Sequence, residues 1–125
     1  MVRKYVGICG GSTAFLSTAA DTDYYQIDAA WGSSICLGSP KGRTYSLKVY
    51  SLADKFANAT KVAGADGKPD GLMWTGTTSA GGQVCFSGNS VPVPFRYGEY
   101  RFIVGVESAN GSYSPYWPYW ITAAK

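Results

Sequence analysis

Two carboxylates near the N-terminus are candidates for metal binding or for acid–base catalysis. They belong to Asp21 and Asp23, which flank a single Thr. In a strand, residues two apart face the same way, so both side chains can approach one cation. Ca²⁺ takes about six to eight oxygen ligands, and two carboxylates supply too few. We therefore expect no cofactor, and interpret Asp21 as a turn residue whose carboxylate accepts bonds from backbone amides ahead of a strand. Calcium at Asp21 and Asp23 is the alternative.

Catalytic chemistry has little support in the residue types of this chain. His is absent, which removes the commonest general base and the commonest transition-metal ligand. The serines lie in no Gly-x-Ser-x-Gly motif, and no sequence feature marks two carboxylates as facing each other across a cleft. We expect a protein that is not an enzyme.

The three cysteines, Cys9, Cys36 and Cys85, have no Cys-x-x-Cys spacing, so a zinc site is not indicated. Cys36 and Cys85 each lie in the middle of an expected strand, on the side opposite to their apolar neighbours. A disulfide between Cys36 and Cys85 that leaves Cys9 free is one interpretation. Two small packed thiols are the other.

Aromatic rings crowd the segment 112–120, "SYSPYWPYW". Strand alternation places Trp117 and Tyr119 on one face and Tyr116 and Trp120 on the other. Exposed aromatic rings are typical of protein interfaces and of platforms on which sugars stack. The predicted ligand-binding residues are Tyr113, Tyr116 and Trp120. The alternative is a core strand with buried rings on both sides.

We expect the residues named above to lie on or between short strands. Apolar and polar residues alternate with period two in "TYSLKVY" and "YRFIVGV", and Gly, Pro, Asn and Ser fall between the segments. The expected strands are 24–29, 33–38, 44–50, 71–77, 82–88, 100–106 and 118–122. Only 52–63 can hold a helical turn or two. This pattern predicts a single domain over residues 1–125, an antiparallel β-sandwich resembling a jelly roll.

Alternation also predicts which side chains form the core. The apolar faces of the expected strands point to burial of Tyr25, Ile27, Leu47, Val49, Phe102, Val104 and Ile121.

Charge and hydropathy exclude several classes of partner. The net charge is +3, but the 11 Lys and Arg residues form no basic stripe, so we expect no nucleic acid. No stretch approaches the ~20 apolar residues of a membrane span. Arg3 and Lys4 precede no apolar run, so the start does not resemble a signal peptide. We expect a domain excised from a longer secreted protein, with a cytosolic protein as the alternative.

Three segments resemble the bacterial pre-peptidase C-terminal family, known as PPC domains. "DTDYYQIDAAWG" resembles its opening strand, "SICLGSPKGRTYSLKVYS" its next two strands, and "GEYRFIVGVESANGSYSPYWPYWIT" its closing strands. The resemblance covers roughly 21–122, is strongest over 21–51 and 98–122, and is poor over 52–95. It implies a jelly-roll-like sandwich that accompanies secreted bacterial enzymes and is not itself catalytic.

The resemblance also bears on calcium. In the collagen-binding members of the family, Ca²⁺ joins an acidic N-terminal linker to carboxylates near the Asp-x-Asp strand. Asp21 and Asp23 would be those carboxylates here, but residues 1–20 contain no Asp or Glu. This departure weakens the implied site.

These observations predict an extracellular, non-catalytic binding module of a secreted bacterial enzyme. Its expected partner is a matrix protein or a polysaccharide, bound through exposed aromatic rings. The alternative is a structural domain that self-associates into a fibre or a surface layer, because low charge and exposed rings also suit subunit packing.

Overall fold

A computed structural model describes residues 3–6, 11–30, 34–54, 72–87 and 99–124. Within these ranges the chain forms strands and turns, and no helix has the length and hydropathy needed to cross a membrane. The strands are β1 Arg3–Val6, β2 Gly11–Leu16, β3 Thr22–Ala30, β4 Ser34–Gly38, β5 Tyr45–Asp54, β6 Trp74–Thr77, β7 Gln83–Ser87, β8 Glu99–Ser108 and β9 Ser114–Ala124.

The strands from β2 to β9 pair in nested order, so that the first pairs with the last and each inner pair lies within the one before it. β2 pairs with β9, β3 with β8, β4 with β7 and β5 with β6, all antiparallel. Further pairings complete two sheets, in the orders β2-β9-β4-β7 and β1-β3-β8-β5-β6. Nested pairing of eight strands across two sheets is the arrangement of a jelly roll. The predicted β-sandwich is therefore confirmed.

The pattern-based strand predictions agree with β3 to β9, but β1 and β2 were not expected. β1 pairs parallel with β3, so the five-stranded sheet is mixed rather than wholly antiparallel. In the segment 52–63, for which the sequence allows a helical turn or two, residues 52–54 instead continue β5. The rest of that segment lies outside the described residues, as do Cys9, Trp31 and most of the segment 52–95.

The core lies between the two sheets and is built by strand alternation. The predicted burial is confirmed for most of the residues named above: Tyr25, Ile27, Leu47, Val49, Val104 and Ile121. The side chain of Phe102 falls outside the described part of the structure. β8 is also covered on its other face, since Ile103 is fully buried there.

A polar network of tyrosines crosses this apolar core. The Tyr119 hydroxyl donates to Asp23 Oδ2 at 2.6 Å and lies 2.5 Å from the Tyr25 hydroxyl. The Tyr119 ring also packs edge-on against Tyr25 and Tyr45. Because buried hydroxyls require partners, these bonds fix β9 against β3.

Cys36 and Cys85 are directly paired across β4 and β7, with 4.1 Å between their Cα atoms, and are joined by a disulfide. Both lie on the outer face of the four-stranded sheet, since their neighbours Ile35 and Phe86 are buried. The bridge therefore ties the two strands outside the core.

Three turns meet at one end of the sandwich and are bonded to one another. The Asn-Gly turn between β8 and β9 has positive φ at Asn110 and Gly111, as a tight hairpin turn requires. Thr44 links this turn to the 39–44 turn, because its N–H donates to Ser112 Oγ and its carbonyl accepts from the Ala109 N–H. The third turn, at 79–82, is bonded to the 39–44 turn, because the Gly81 N–H donates to the Arg43 carbonyl.

Candidate functional site

The regular pairing of β9 is interrupted just after its first residue. Between two successive pairs, β2 advances two residues, from Ala14 to Leu16, while β9 advances five, from Ser114 to Tyr119. β4 pairs only with residues 120–124 of β9. Residues 115–118 therefore bulge out of the sheet, and we call this segment the aromatic ridge.

Every backbone N–H of the aromatic ridge is accounted for. Pro115 and Pro118 have none. The N–H groups of Tyr116 and Trp117 both donate to Ser114 Oγ, at 3.3 and 3.0 Å. Ser114 is itself buried, and its own N–H donates to the Tyr45 hydroxyl at 2.9 Å. The ridge thus presents rings and carbonyl oxygens to solvent, but no backbone donor.

The two central rings of the ridge are strongly exposed. Tyr116 is 83% exposed and Trp117 is 68% exposed. Two hollows flank them. The first, of about 570 Å³, is lined by Arg43 and by residues 111–117. The second, of about 420 Å³, is lined by Pro40, Lys41, Trp117 and Pro118. Trp117 belongs to both, so it forms the wall between them.

The 39–44 turn places a cation beside each hollow. Arg43 Nε donates to the Tyr113 carbonyl at 2.7 Å, which holds the guanidinium against the first hollow. Lys41 lines the second hollow and is exposed. The turn itself is closed by the Arg43 N–H, which donates to the Pro40 carbonyl, with Gly42 at positive φ.

Electrostatics distinguish the base of the site from its surface. Burial raises the pKa of Tyr45, an effect opposed by the hydrogen bond from Ser114 and by the charge of Arg43. Burial also raises the pKa of Tyr119, and the hydrogen bond to Asp23 adds to the shift. Both phenols under the ridge therefore remain neutral at physiological pH, and the charge at the surface comes from Lys41 and Arg43.

The predicted ligand-binding residues occupy three different settings. Tyr113 is 41% exposed in the loop before β9, and Tyr116 lies in the ridge. Trp120 is half-buried in the regular part of β9, where its ring covers Gly38 so closely that a Cβ there would lie 1.9 Å from Cε2. Tyr116 and Trp120 therefore do not share one uninterrupted strand. Their roles in binding remain predictions.

The predicted orientation of Trp117 was wrong, since its side chain is 68% exposed whereas Tyr119 is buried. Simple alternation put it on the same face as Tyr119, but the extra residues of the ridge shift it to the surface. The sequence signal was present, since two prolines in a four-residue stretch are incompatible with an internal strand. Phe15, which lies in β2 opposite the bulge and is also exposed, carried no such signal.

Asp21 and Asp23 are used by the fold. Asp21 Oδ2 accepts from the Ser17 N–H at 3.1 Å, which confirms its interpretation as a turn residue. Asp23 points into the sandwich toward Tyr119. Among the described residues, no group of three or more His, Cys, Asp or Glu could hold a metal ion.

Comparisons with known proteins leave the family open. No family model matches the chain, and no curated protein sequence matches it significantly. The crystal structure of Aeromonas hydrophila PliG, a periplasmic lysozyme inhibitor of g-type lysozyme, is similar over 98% of this chain and 97% of that one, with 14% identity and a TM-score of 0.43. A similarity at this level establishes neither a common family nor a common function. The resemblance to PPC domains remains a prediction.

Proposed function

We propose that this chain is a non-catalytic extracellular binding module, the accessory part of a secreted bacterial enzyme. The observation that carries this proposal is the aromatic ridge. Tyr116 and Trp117 are exposed on a segment whose backbone donors are all occupied by Ser114. Contiguous exposed rings typically mark interaction surfaces, and aromatic anchors dominate binding energy at such surfaces.

The geometry of the two hollows favours an extended ligand. Each has a volume within the range of roughly 300–1,000 Å³ that is usual for ligand sites. Since the Trp117 ring lines both, a ligand that fills them together must continue past this ring. A polymer meets that condition better than a single small molecule.

Two further observations support the secreted and non-catalytic parts of the proposal. The Cys36–Cys85 disulfide is the kind of bond that persists in oxidising compartments. The described residues that line the hollows include no carboxylate, imidazole or thiol, so Ser112 and Ser114 have neither a carboxylate nor an imidazole there to activate them as nucleophiles.

Binding to insoluble polymers tests the proposal. We expect the wild-type chain to be retained on at least one of insoluble collagen, chitin, cellulose and a cross-linked acidic polysaccharide. Trp117→Ala and Tyr116→Ala should each weaken retention about tenfold, as loss of an aromatic anchor does at other interfaces. Leu72→Ala is the matched control, because Leu72 is an exposed apolar residue that lies just before β6, away from the ridge.

Melting temperatures separate binding from folding in this experiment. The proposal holds if the ridge variants melt like the wild type but lose retention, while Leu72→Ala keeps it. It fails if no polymer retains the wild type, or if the ridge variants are retained normally. Self-association that rises with concentration in size-exclusion chromatography, and that Trp117→Ala abolishes, would favour the structural alternative.

A further inference from the structure

The charged residues around the aromatic ridge are unevenly distributed. The structure describes the side chains of three cations: Lys41, Arg43 and Lys48. Lys48 forms an ion pair with Glu107 at 2.5 Å, on the outer face of the other sheet. Lys41 and Arg43 line the two hollows beside Trp117 instead. The cations without an ion pair among the described residues are therefore the ones at the site.

The positive charge at the hollows has no local counterpart. None of the described residues that line either hollow is acidic. Arg43 is held in place through Nε by the Tyr113 carbonyl, and its Nη1 lies 3.4 Å from the Gly42 carbonyl. These neutral acceptors orient the guanidinium without neutralising it. The planar fork of a fixed Arg next to an open hollow can bind two oxygens of a carboxylate or a sulfate at once.

We propose that the ligand of the aromatic ridge is an anionic polysaccharide, an inference that rests on the proposed function. The rings of Tyr116 and Trp117 stack on the apolar faces of successive sugar units. Lys41 and Arg43, one beside each hollow, bind acidic groups on either side of Trp117. The net charge of +3 attracts a polyanion at longer range.

The backbone of the ridge favours a sugar over an extended peptide. A peptide that adds to a sheet needs free backbone donors and acceptors along an edge. β9 has β2 on one side and β4 on the other, so it is not an edge strand. The bulged residues have no N–H to offer either, because Ser114 accepts two and the prolines have none. Ring stacking, side-chain ion pairs and hydrogen bonds from ligand hydroxyls to the ridge carbonyls are the interactions that remain.

Polygalacturonate and its fully methyl-esterified form make the sharpest pair of probes. They share one backbone and differ in charge, so their affinities can be compared by affinity electrophoresis on native gels. We expect wild type to bind polygalacturonate roughly tenfold more tightly than the ester, because two exposed cations each contribute up to about fivefold. Raising the salt concentration should narrow this difference.

Three variants test the roles of the cations and the ring. Lys41→Gln should weaken binding to polygalacturonate about two- to fivefold and leave the ester unaffected. Lys48→Gln is the matched control, because it lowers the net charge equally at a distant site and should change neither affinity beyond twofold. Trp117→Ala should lower the affinity for polygalacturonate and for its ester by the same factor, because stacking does not depend on charge.

The outcomes separate this inference from the proposed function. Equal affinity for the acid and the ester, with both lost in Trp117→Ala, would overturn the anionic inference while keeping the binding module. Binding of neither polymer would overturn the inference, and retention on none of the insoluble polymers would overturn the function as well. Tighter binding of poly-glutamate than of polygalacturonate, abolished by Trp117→Ala, would point to an acidic protein instead.

Discussion

The two halves of β9 have similar sequences and opposite roles. In the half 119–123 alternate side chains belong to the core: Tyr119, Ile121 and Ala123 are buried, and Tyr119 lies between Tyr25 and Tyr45. Residues 115–118 form the aromatic ridge, where Tyr116 and Trp117 face solvent. A tyrosine is thus structural in one half and exposed in the other, within a distance of three residues.

The partners of the backbone and hydroxyl groups explain the difference. Tyr119 lies where β9 pairs with β2, and its hydroxyl is satisfied by Asp23 inside the sandwich. The ridge is released from the sheet because two prolines remove N–H donors and Ser114 binds the other two. The backbone hydrogen bonding of each segment, rather than the type of the aromatic residue itself, decides whether Tyr116 and Tyr119 are exposed or buried.

The strongest test of this contrast removes one ring from each half. Tyr119→Ala should lower the free energy of unfolding by about 3–5 kcal/mol, because it empties a large site in the core and leaves Asp23 without this donor. Tyr116→Ala should change the free energy by no more than about 0.5 kcal/mol, as surface substitutions do. Urea unfolding of both variants measures the difference. Similar losses in the two variants would contradict the division of β9.

The disulfide supports the sheet next to the buried half of β9, since Cys36 also pairs with Thr122. Its partners are 49 residues apart in sequence, so its loss should cost up to about 4 kcal/mol by the chain-entropy argument. We expect Cys36→Ser to melt at lower temperature under oxidising conditions and to match the reduced wild type. If reduction leaves the wild-type melting temperature unchanged, the bridge does not stabilise this sheet.

Alkaline pH should destabilise the fold through Tyr119, in the buried half of β9. Burial and the bond to Asp23 raise the pKa of Tyr119, so the folded chain keeps this phenol neutral above pH 10, the pH near which it ionises when unfolded. Below pH 10 the neutral Tyr119 phenol makes its full contribution to the free energy of unfolding. Above it, the free energy of unfolding falls by about 1.4 kcal/mol per pH unit for each such group. Urea unfolding from pH 8 to 11 should show that the free energy of unfolding falls less steeply with pH in Tyr119→Phe than in the wild type. An identical slope in the two proteins would exclude Tyr119 as the source of the fall.

The smallest expected effect concerns calcium. Because Asp21 binds the Ser17 N–H and Asp23 accepts from Tyr119, we expect millimolar Ca²⁺ to leave the melting temperature nearly unchanged. A ligand at 100 times its dissociation constant would add about 2.7 kcal/mol, which such a measurement detects easily. A rise of several degrees that Asp21→Asn abolishes would restore the metal interpretation.

Sequence patterns were informative where local chemistry dictates structure. Period-two alternation located β3 to β9 and the buried faces of β5 and β8. The Asn-Gly pair at 110–111 marked the turn between β8 and β9, because both residues tolerate positive φ. Asp21 was identified as a turn residue for a different local reason, because its short side chain bonds nearby backbone.

Other features depend on contacts that no local pattern reports. β2 is rich in Gly, Ser, Thr and Ala, so it carries little alternation, yet pairing with β9 makes it a strand. The nested order of strands is likewise set by contacts between distant segments. The position of Ser114 also involves a distant contact, since the Tyr45 hydroxyl accepts its N–H while the Ser114 hydroxyl accepts both ridge amides.

The aromatic ridge is the surface proposed to contact ligand, and nuclear magnetic resonance can locate the contact residue by residue. Titration of ¹⁵N-labelled protein with polygalacturonate oligomers should shift the amides of Tyr116 and Trp117, the Trp117 indole N–H and the side-chain Nε–H of Arg43. The amides of Tyr119 and Ile121 should move little. Shifts concentrated at another surface, such as Tyr24 and Tyr50 on the five-stranded sheet, with the ridge unchanged, would contradict the account.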